Sequence, residues 1–271
     1  MFLIDQKINS MKITIIGAGN MGGAIASGLA ISGSIPPQDI TIIDHKGKNV
    51  SRLKDVSDLL NVVVADYSSL ATADIVIVAV KPWLVEAVLN EHKSLLSNPK
   101  QCIVSVAAIV TLDQLQEWTS PDHPVFRVIP NTAIAVRQSM TYIASKNASK
   151  DQEIQLSRIF SLLGKVEFVD EKLIPAITSL TSCGIAFAFR YIRAAMEGGV
   201  EMGMYPNQAK EAVLQTLRGA VELLEANETH PEVEIDKVTT AGGITIKGLN
   251  EMEHAGFTSA VIRGLKASNV K

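Results

Sequence analysis

Two cysteines, Cys102 and Cys183, are all that 271 residues contain, and both lie in apolar stretches. So few exclude a disulfide framework, and a reducing cytosol is the simplest compartment. Charge of one sign is lacking too. The 25 Lys and Arg stand against 28 Asp and Glu, for a net charge of −3. No basic excess points to nucleic acid or to an anionic membrane. No metal site is expected. Long apolar runs are scarce. One uncharged stretch that calls for a membrane check, Leu173 to Phe189, has 17 residues, holds Thr178, Ser179, Thr181 and Ser182, and meets Arg190 and Arg193. It falls short of the roughly 20 apolar residues a membrane span needs, and reads as a helix buried in protein. The opening MFLIDQKINS is too short and too polar for a signal peptide. Residues 1–10 read as an extension ahead of Met11.

What the chain does have is a 47% hydrophobic composition, enough for a sizeable core and two domains. It also has one organising stretch, Lys12 to Ser32. Ile13 to Ile16 reads as a buried strand. Gly17, Gly19 and Gly22 follow in GxGxxG spacing, and Ala24, Ile25, Leu29 and Ile31 give an apolar helix face. Gly17 allows the tight turn, Gly19 lets a pyrophosphate approach the backbone, and Gly22 lets helix and sheet pack closely. The helix start offers free N–H groups to phosphates. Glycine turns alone are common, but this one stands between a strand and a helix. A second strand, Asp39 to Ile43, ends in Asp44, 22 residues past Gly22, where an acid can hold a ribose.

Further strands are expected at Val62–Val64, Ile75–Val80, Ile103–Val106, Pro124–Ile129, Met140–Ala144 and, at an edge, Val166–Val169. Helices are expected at Val50–Leu60, Trp83–Leu96, Leu112–Trp118 (capped by Thr111) and Gln152–Leu163. This alternation predicts a Rossmann-type, doubly wound parallel sheet over residues 11–170. Beyond about 171 no strand is expected. Helices are predicted at Leu173–Met202, Asn207–Asn227, Thr245–Ala255 and Thr258–Lys266. Residues 171–271 therefore read as an all-helical domain. Its long helix carries Gly184, Ala186, Ala188, Ala194, Ala195, Gly198 and Gly199. Such a helix needs a close partner, so a homodimer or larger oligomer through these helices is expected.

A nicotinamide cofactor implies hydride transfer. Reducing a ketone calls for a nearby acid. His45, His92, His123, His230 and His254 are all poorly placed for that. A cyclic imine is basic enough to be protonated already. Its site needs only a hydrogen-bond donor and amides for a carboxylate. Thr239 to Ile246, TTAGGITI, offers both: two glycines at a helix start form an anion nest, flanked by Thr240 and Thr245. A plain helix cap with a flexible loop would share this pattern.

The chain resembles the pyrroline-5-carboxylate reductase family over nearly all of residues 11–266. The matching stretches are IGAGNMGGAI (16–25), AVKP (79–82), SVAA (105–108), RVIPNT (127–132), LTSCGIAF (180–187), ETHP (228–231) and VTTAGGITI (238–246). The resemblance implies reduction of L-1-pyrroline-5-carboxylate to L-proline by NADPH or NADH, with a cyclic imine as the small-molecule partner. It implies that Gly17, Ala18, Gly19, Asn20, Met21 and Gly22 hold the pyrophosphate. It places Ala79, Val80, Lys81 and Pro82 beside the cofactor, and Ser105, Val106, Ala107 and Asn131 near the nicotinamide. Thr245 matches the threonine that hydrogen-bonds the ring nitrogen. Thr240, Gly242, Gly243 and Ile244 match the carboxylate loop, and Glu228 matches an acid near the substrate.

The chain also departs from the family pattern. The family usually has proline where Ala133, Ile185 and Ala241 stand, glycine where Ile109 and Ser182 stand, and serine where Cys183 stands. Ile244 replaces a small residue or Thr. Asp44 favours NADH on simple electrostatics, while Lys46, Lys48, Arg52 and the family pattern favour NADPH. Three alternatives stay open: a reductase of another cyclic imine, a β-hydroxyacid dehydrogenase-like enzyme, and a non-catalytic NAD(P)H-binding relative. The second needs a lysine on the long helix, and Leu173 to Phe189 has none.

Overall fold

A computed structural model describes residues 11–269. The expected extension at 1–10 lies outside the described residues. Strands run β1 (Ile13–Ile16), β2 (Ile40–Ile43), β3 (Asn61–Val63), β4 (Ile75–Val78), β5 (Cys102–Ser105), β6 (Val125–Ile129), β7 (Ser139–Lys146) and β8 (Gly164–Phe168). They form one sheet in the order β3-β2-β1-β4-β5-β6-β7-β8. β1 sits centrally, with Ile13 in parallel register with Ile40 of β2 and Ile75 of β4. All four residues of β1, β2, β4 and β5 are buried. Strands covered on both faces need apolar side chains on both, hence continuous β-branched runs.

Alternation along each strand fills two cores. Ile13, Ile15, Ile77, Val104, Phe126 and Val128 enter one, with Ile25, Leu29 and Phe160 from the helices. Ile16, Ile43, Val76, Val78, Ile103 and Ile129 enter the other, with Val85, Leu115 and Ile174. Each such side chain, fully buried, contributes roughly 1.5–3 kcal/mol.

The strands from β3 to β6 all run in one direction. β7 runs antiparallel to β6, with Arg127 opposite Ala144, and β8 is parallel to β7. The short β6–β7 connection is the reason, because a parallel neighbour needs a crossover.

The helices of this part are α1 (Asn20–Ser32), α2 (Val50–Lys54), α3 (Pro82–Glu91), α4 (Leu112–Trp118), α5 (Lys150–Ser161) and α6 (Ile174–Ile177). Thr111 caps α4 in a full capping box with Gln114. The helix expected over Val50–Leu60 stops at Lys54. Leu60 turns back, its N–H on Ser57 O at 3.2 Å, so that Asn61 can pair with Thr41. The helix expected to reach Leu96 ends at Glu91, and a separate 3₁₀ turn spans Lys93–Leu95.

The expected helix Leu173–Met202 is interrupted by a π-helical segment, Thr178–Cys183. Ser179 and Thr181 turn their hydroxyls onto Pro175 O and Ile177 O, four residues back, which loosens a helical ladder. Two compact units divide between Ser182 and Cys183. Strands stop at about 170, but Ile174 and Ser179 remain buried with the sheet unit.

The helical unit comprises α7 (Gly184–Glu201), α8 (Pro206–Asn227), α9 (Pro231–Val238), α10 (Ile244–His254) and α11 (Phe257–Ser268). α7 and α8 meet closely: a Cβ on Gly199 would lie 3.2 Å from Ala209 Cβ. α9 was not expected. His230 caps it by accepting from the Glu232 N–H, and Pro231 opens it, a first-turn pattern available in the sequence. The expectation of a helix buried in protein is not met by this chain alone. Glu171–Glu201 is long and apolar enough to cross a membrane, and only 11% of its most apolar window is buried.

Candidate active site

β1 ends at Gly17, whose φ of +107° a side chain would resist. A Cβ there would also lie 2.8 Å from Ala79 O. The glycine turn and the end of β4 thus touch through backbone, and Ala79 and Val80 wall the turn. At Gly22 a Cβ would come within 1.9 Å of Gly17 O, so this glycine allows helix and turn to close. Gly19 differs: nothing lies within 4 Å of where its Cβ would be. The space above Gly19 is open, and Gly19 caps α1 without any side-chain hydrogen bond. The first N–H groups of a 13-residue helix therefore face that space unfilled. Ala18 is buried, while Asn20 and Met21 open the helix at the surface. These residues fit a dinucleotide pyrophosphate. A cleft of about 520 Å³ lies alongside, walled by Asn20, Met21, Gly23, Arg52, Thr132 and Ala135.

Asp44 stands at the end of β2, 6% exposed. Its Oδ1 accepts from the Lys46 N–H at 3.2 Å. Its Oδ2 accepts from the Asn49 N–H at 2.7 Å and from Asn49 Nδ2 at 3.3 Å. Burial pushes this carboxyl up, but the N–H groups of Asn49, Lys46 and Gly47 outweigh it and leave its pKa below the ordinary value. The acid expected to hold a ribose is largely spent on its own loop. Arg52 was singled out only as a nearby charge, yet it returns to the glycine turn. Its Nη2 donates to Ala18 O at 3.0 Å and to Gly19 O at 3.4 Å.

At the end of β4, Lys81 is exposed and caps α3, with Pro82 as the first helical residue. At the end of β5, Ser105 is fully buried and its Oγ accepts from the Ala107 N–H at 3.2 Å. Val106 and Ala107 continue that turn, and Ile109 projects from it, 69% exposed. Sequence reasoning missed Arg127, which braces this turn. Its guanidinium donates to Ala108 O and, at 2.9 Å, to Glu171 Oε1. The same Glu171 oxygen accepts from the Leu112 N–H. A buried arginine in a central strand is the signal that pointed to such a brace.

Asn131 turns out to be held by the fold. Its Oδ1 accepts from the Ala133 N–H at 3.0 Å and its Nδ2 donates to Thr181 O at 3.3 Å. Ala133 supplies an N–H that a proline there would lack. Ser182 also spends its hydroxyl locally, on Pro130 O at 3.2 Å. Asn131 therefore ties β6 to the π segment.

In the helical unit, the Gly243 N–H donates to Thr240 O at 2.9 Å. Between them Gly242 has φ +71°, while Ala241 is not among the positive-φ residues. That is a type II β-turn, which requires glycine third and accepts proline second. A Cβ on Gly243 would meet Thr240 Oγ1 at 2.5 Å, so the second glycine is needed as well. Gly243 caps α10 without a side-chain hydrogen bond. The N–H groups of Ile244, Thr245 and Ile246 thus point out of an uncapped helix beside the Thr240 and Thr245 side chains. Ile244 is 88% exposed. Glu228 ends α8 in a left-handed conformation, φ +50°. That is a costly state for a non-glycine residue, and it presents an exposed carboxylate with no hydrogen-bond or ion-pair partner among the described residues.

A glycine turn on a Rossmann-type sheet, followed by a helical unit with an uncapped turn, defines a dinucleotide-dependent oxidoreductase. Residues 12–109 match the family described as NADP oxidoreductase, coenzyme F420-dependent. Residues 171–271 match the family described as pyrroline-5-carboxylate reductase dimerisation. The chain is 36% identical to the pyrroline-5-carboxylate reductase of Arabidopsis thaliana, over 99% of this chain and 96% of that protein. It is 36% identical to pyrroline-5-carboxylate reductase 1 of Dictyostelium discoideum over 98% of this chain, but spans only half of that protein's length. Its fold superposes on a crystal structure of Plasmodium falciparum pyrroline carboxylate reductase with NADP bound. The TM-score is 0.89, at 26% identity over 96% of each chain. The chain belongs to the pyrroline-5-carboxylate reductase family.

Proposed function

We propose that the protein reduces L-1-pyrroline-5-carboxylate to L-proline with NAD(P)H, as a homo-oligomer joined through its helical unit. One observation carries this reading: the Thr240–Gly243 type II turn opens onto an uncapped helix carrying Thr245. That arrangement suits a small ring bearing one carboxylate and one basic nitrogen. The N–H groups of Ile244 and Thr245, with the Thr240 hydroxyl, hold the carboxylate. The Thr245 hydroxyl hydrogen-bonds the ring nitrogen. The Glu228 carboxylate favours the protonated imine over the neutral one. A nicotinamide bound there would supply a hydride to the imine carbon, and the nitrogen held by Thr245 would keep the C=N electron pair as its lone pair. Because the nitrogen already carries its proton, no catalytic histidine is required.

Gly17 to Gly22 hold the pyrophosphate, and Lys81, Pro82 and the Ser105–Ala107 turn line the rest of the cofactor site. A cytosolic location agrees with the two free cysteines, Cys102 and Cys183. Cys102 is inert in this reading, its thiol pushed up to about 12 by burial and by Asp74. The test is turnover on pyrroline-5-carboxylate against 1-pyrroline, which lacks the carboxylate. The carboxylate-bearing imine should react at least about a hundredfold faster in kcat/KM, the loss of two charge-assisted hydrogen bonds. Equal rates would remove the loop from substrate binding. Thr245→Ala should lower kcat/KM for the imine about 10- to 100-fold while leaving cofactor affinity unchanged. Equal loss of both would overturn its role.

A further inference from the structure

We propose that Arg52 makes this enzyme prefer NADPH, by taking the 2′-phosphate of the cofactor. The inference rests on reading the glycine turn as the dinucleotide site. Three observations carry it. First, Asp44 is no longer equipped to grip a ribose diol. A carboxylate holds two hydroxyls by offering both oxygens. Here both lone pairs of Oδ2 are taken by Asn49, and Oδ1 already accepts from Lys46. The usual means of selecting NADH is therefore occupied.

Second, the Arg52 guanidinium lies in the corner between the β2 loop and the glycine turn, where the adenosine ribose of a dinucleotide sits. It is anchored by Nη2 alone, on Ala18 O and Gly19 O. Its remaining N–H groups have no hydrogen-bond partner among the described residues. Arginine presents a planar fork that fits phosphate oxygens. Lys46 and Lys48 are exposed on the same loop. With Asp44 ionised, the loop and Arg52 together carry an excess of positive charge.

Third, the sequence makes room for this arginine. Gly23, one residue past the third glycine of the motif, is not needed for the turn itself. A Cβ there would lie 2.7 Å from Arg52 Nη2. The absence of that one atom lets the guanidinium reach the start of α1.

The experiment is calorimetric binding of NADP⁺, NAD⁺, 2′,5′-ADP and 5′-AMP to the full chain, which needs no turnover. The intact protein should bind NADP⁺ and 2′,5′-ADP at least about tenfold tighter than their counterparts without the 2′-phosphate. Arg52→Ala should weaken both phosphorylated ligands about 10- to 100-fold, the worth of a charge-assisted hydrogen bond, with NAD⁺ affinity changed by no more than about twofold. Gly23→Ala keeps the arginine but displaces its guanidinium, so it should erode the same preference. Equal affinity for NADP⁺ and NAD⁺ in the intact protein overturns the proposal. So does an equal loss of both in Arg52→Ala, which would make the arginine only a support for the turn. Binding of neither dinucleotide would overturn the cofactor reading beneath it.

Discussion

The sheet unit and the helical unit bury their apolar residues in opposite measure. Among the described residues, every buried apolar side chain but one precedes Cys183, and the exception is the small Ala209. The sheet unit closes two cores over its own strands. The helical unit leaves Phe189 60%, Val221 55% and Ile262 51% exposed. A run of helices cannot hold such a surface in water by itself. The match of 171–271 to a dimerisation family supplies the partner, a second copy of this chain. Stability in the first unit is intramolecular, and in the second it is tied to protomer concentration.

Substitutions in the two units should therefore fail differently. Phe126→Ala empties a fully buried site and should cost about 3–5 kcal/mol whatever the protein concentration. Phe189→Asp should shift the protein to monomer in light scattering, lower its Tm and remove the concentration dependence that the parent oligomer's Tm shows. A Phe189→Asp protein that keeps the parent's oligomeric state and Tm would break the comparison. Inside the sheet unit, Gly17→Ala should cost about 2 kcal/mol through its left-handed φ and the contact with Ala79. Gly19→Ala has free space and should leave stability within about 1 kcal/mol of the parent. It should nonetheless weaken cofactor binding about tenfold or more, because its methyl fills the place of the pyrophosphate. Thermal melts with dinucleotide titrations separate the two.

Asp44→Asn should cost about 1–2 kcal/mol at neutral pH, since the amide turns one acceptor into a donor facing N–H groups. The fold lowers the pKa of Asp44, so its ionised form contributes stability above the ordinary carboxylate range and loses it as pH falls through its folded pKa. Denaturant titrations of the two proteins should converge in acid, and a gap that persists there would contradict this origin. The smallest effect is a gain. Ala241→Pro fits the second position of the type II turn and should stabilise the loop by about 0.4–1 kcal/mol.

Much of this was legible in the sequence because it depended on local chemistry. The β-branched runs named the central strands, the glycine spacing named the turn, and Thr111 named a cap. The TTAGGITI stretch marked an anion nest at a helix start, while which of Gly242 and Gly243 takes the positive φ came only with the structure. Other features were hidden because they depend on partners far along the chain. Arg52 meets Ala18 from 34 positions away. Asn131 also meets Thr181 from 50 positions away, in a π segment that periodicity does not reveal. The reversal of β7 followed from the short connection after β6, and strand propensity carries no direction. Asp44 was found at the right place, but its hydrogen bonds to the loop residues after it were not foreseen.

The most direct measurement is the amount of L-proline formed per NADPH oxidised when the purified oligomer meets L-1-pyrroline-5-carboxylate. One proline for each NADPH, with turnover at limiting NADPH lowered about tenfold or more in Gly19→Ala, is the result expected. A folded oligomer that binds NADPH yet forms no proline would contradict the proposed reaction.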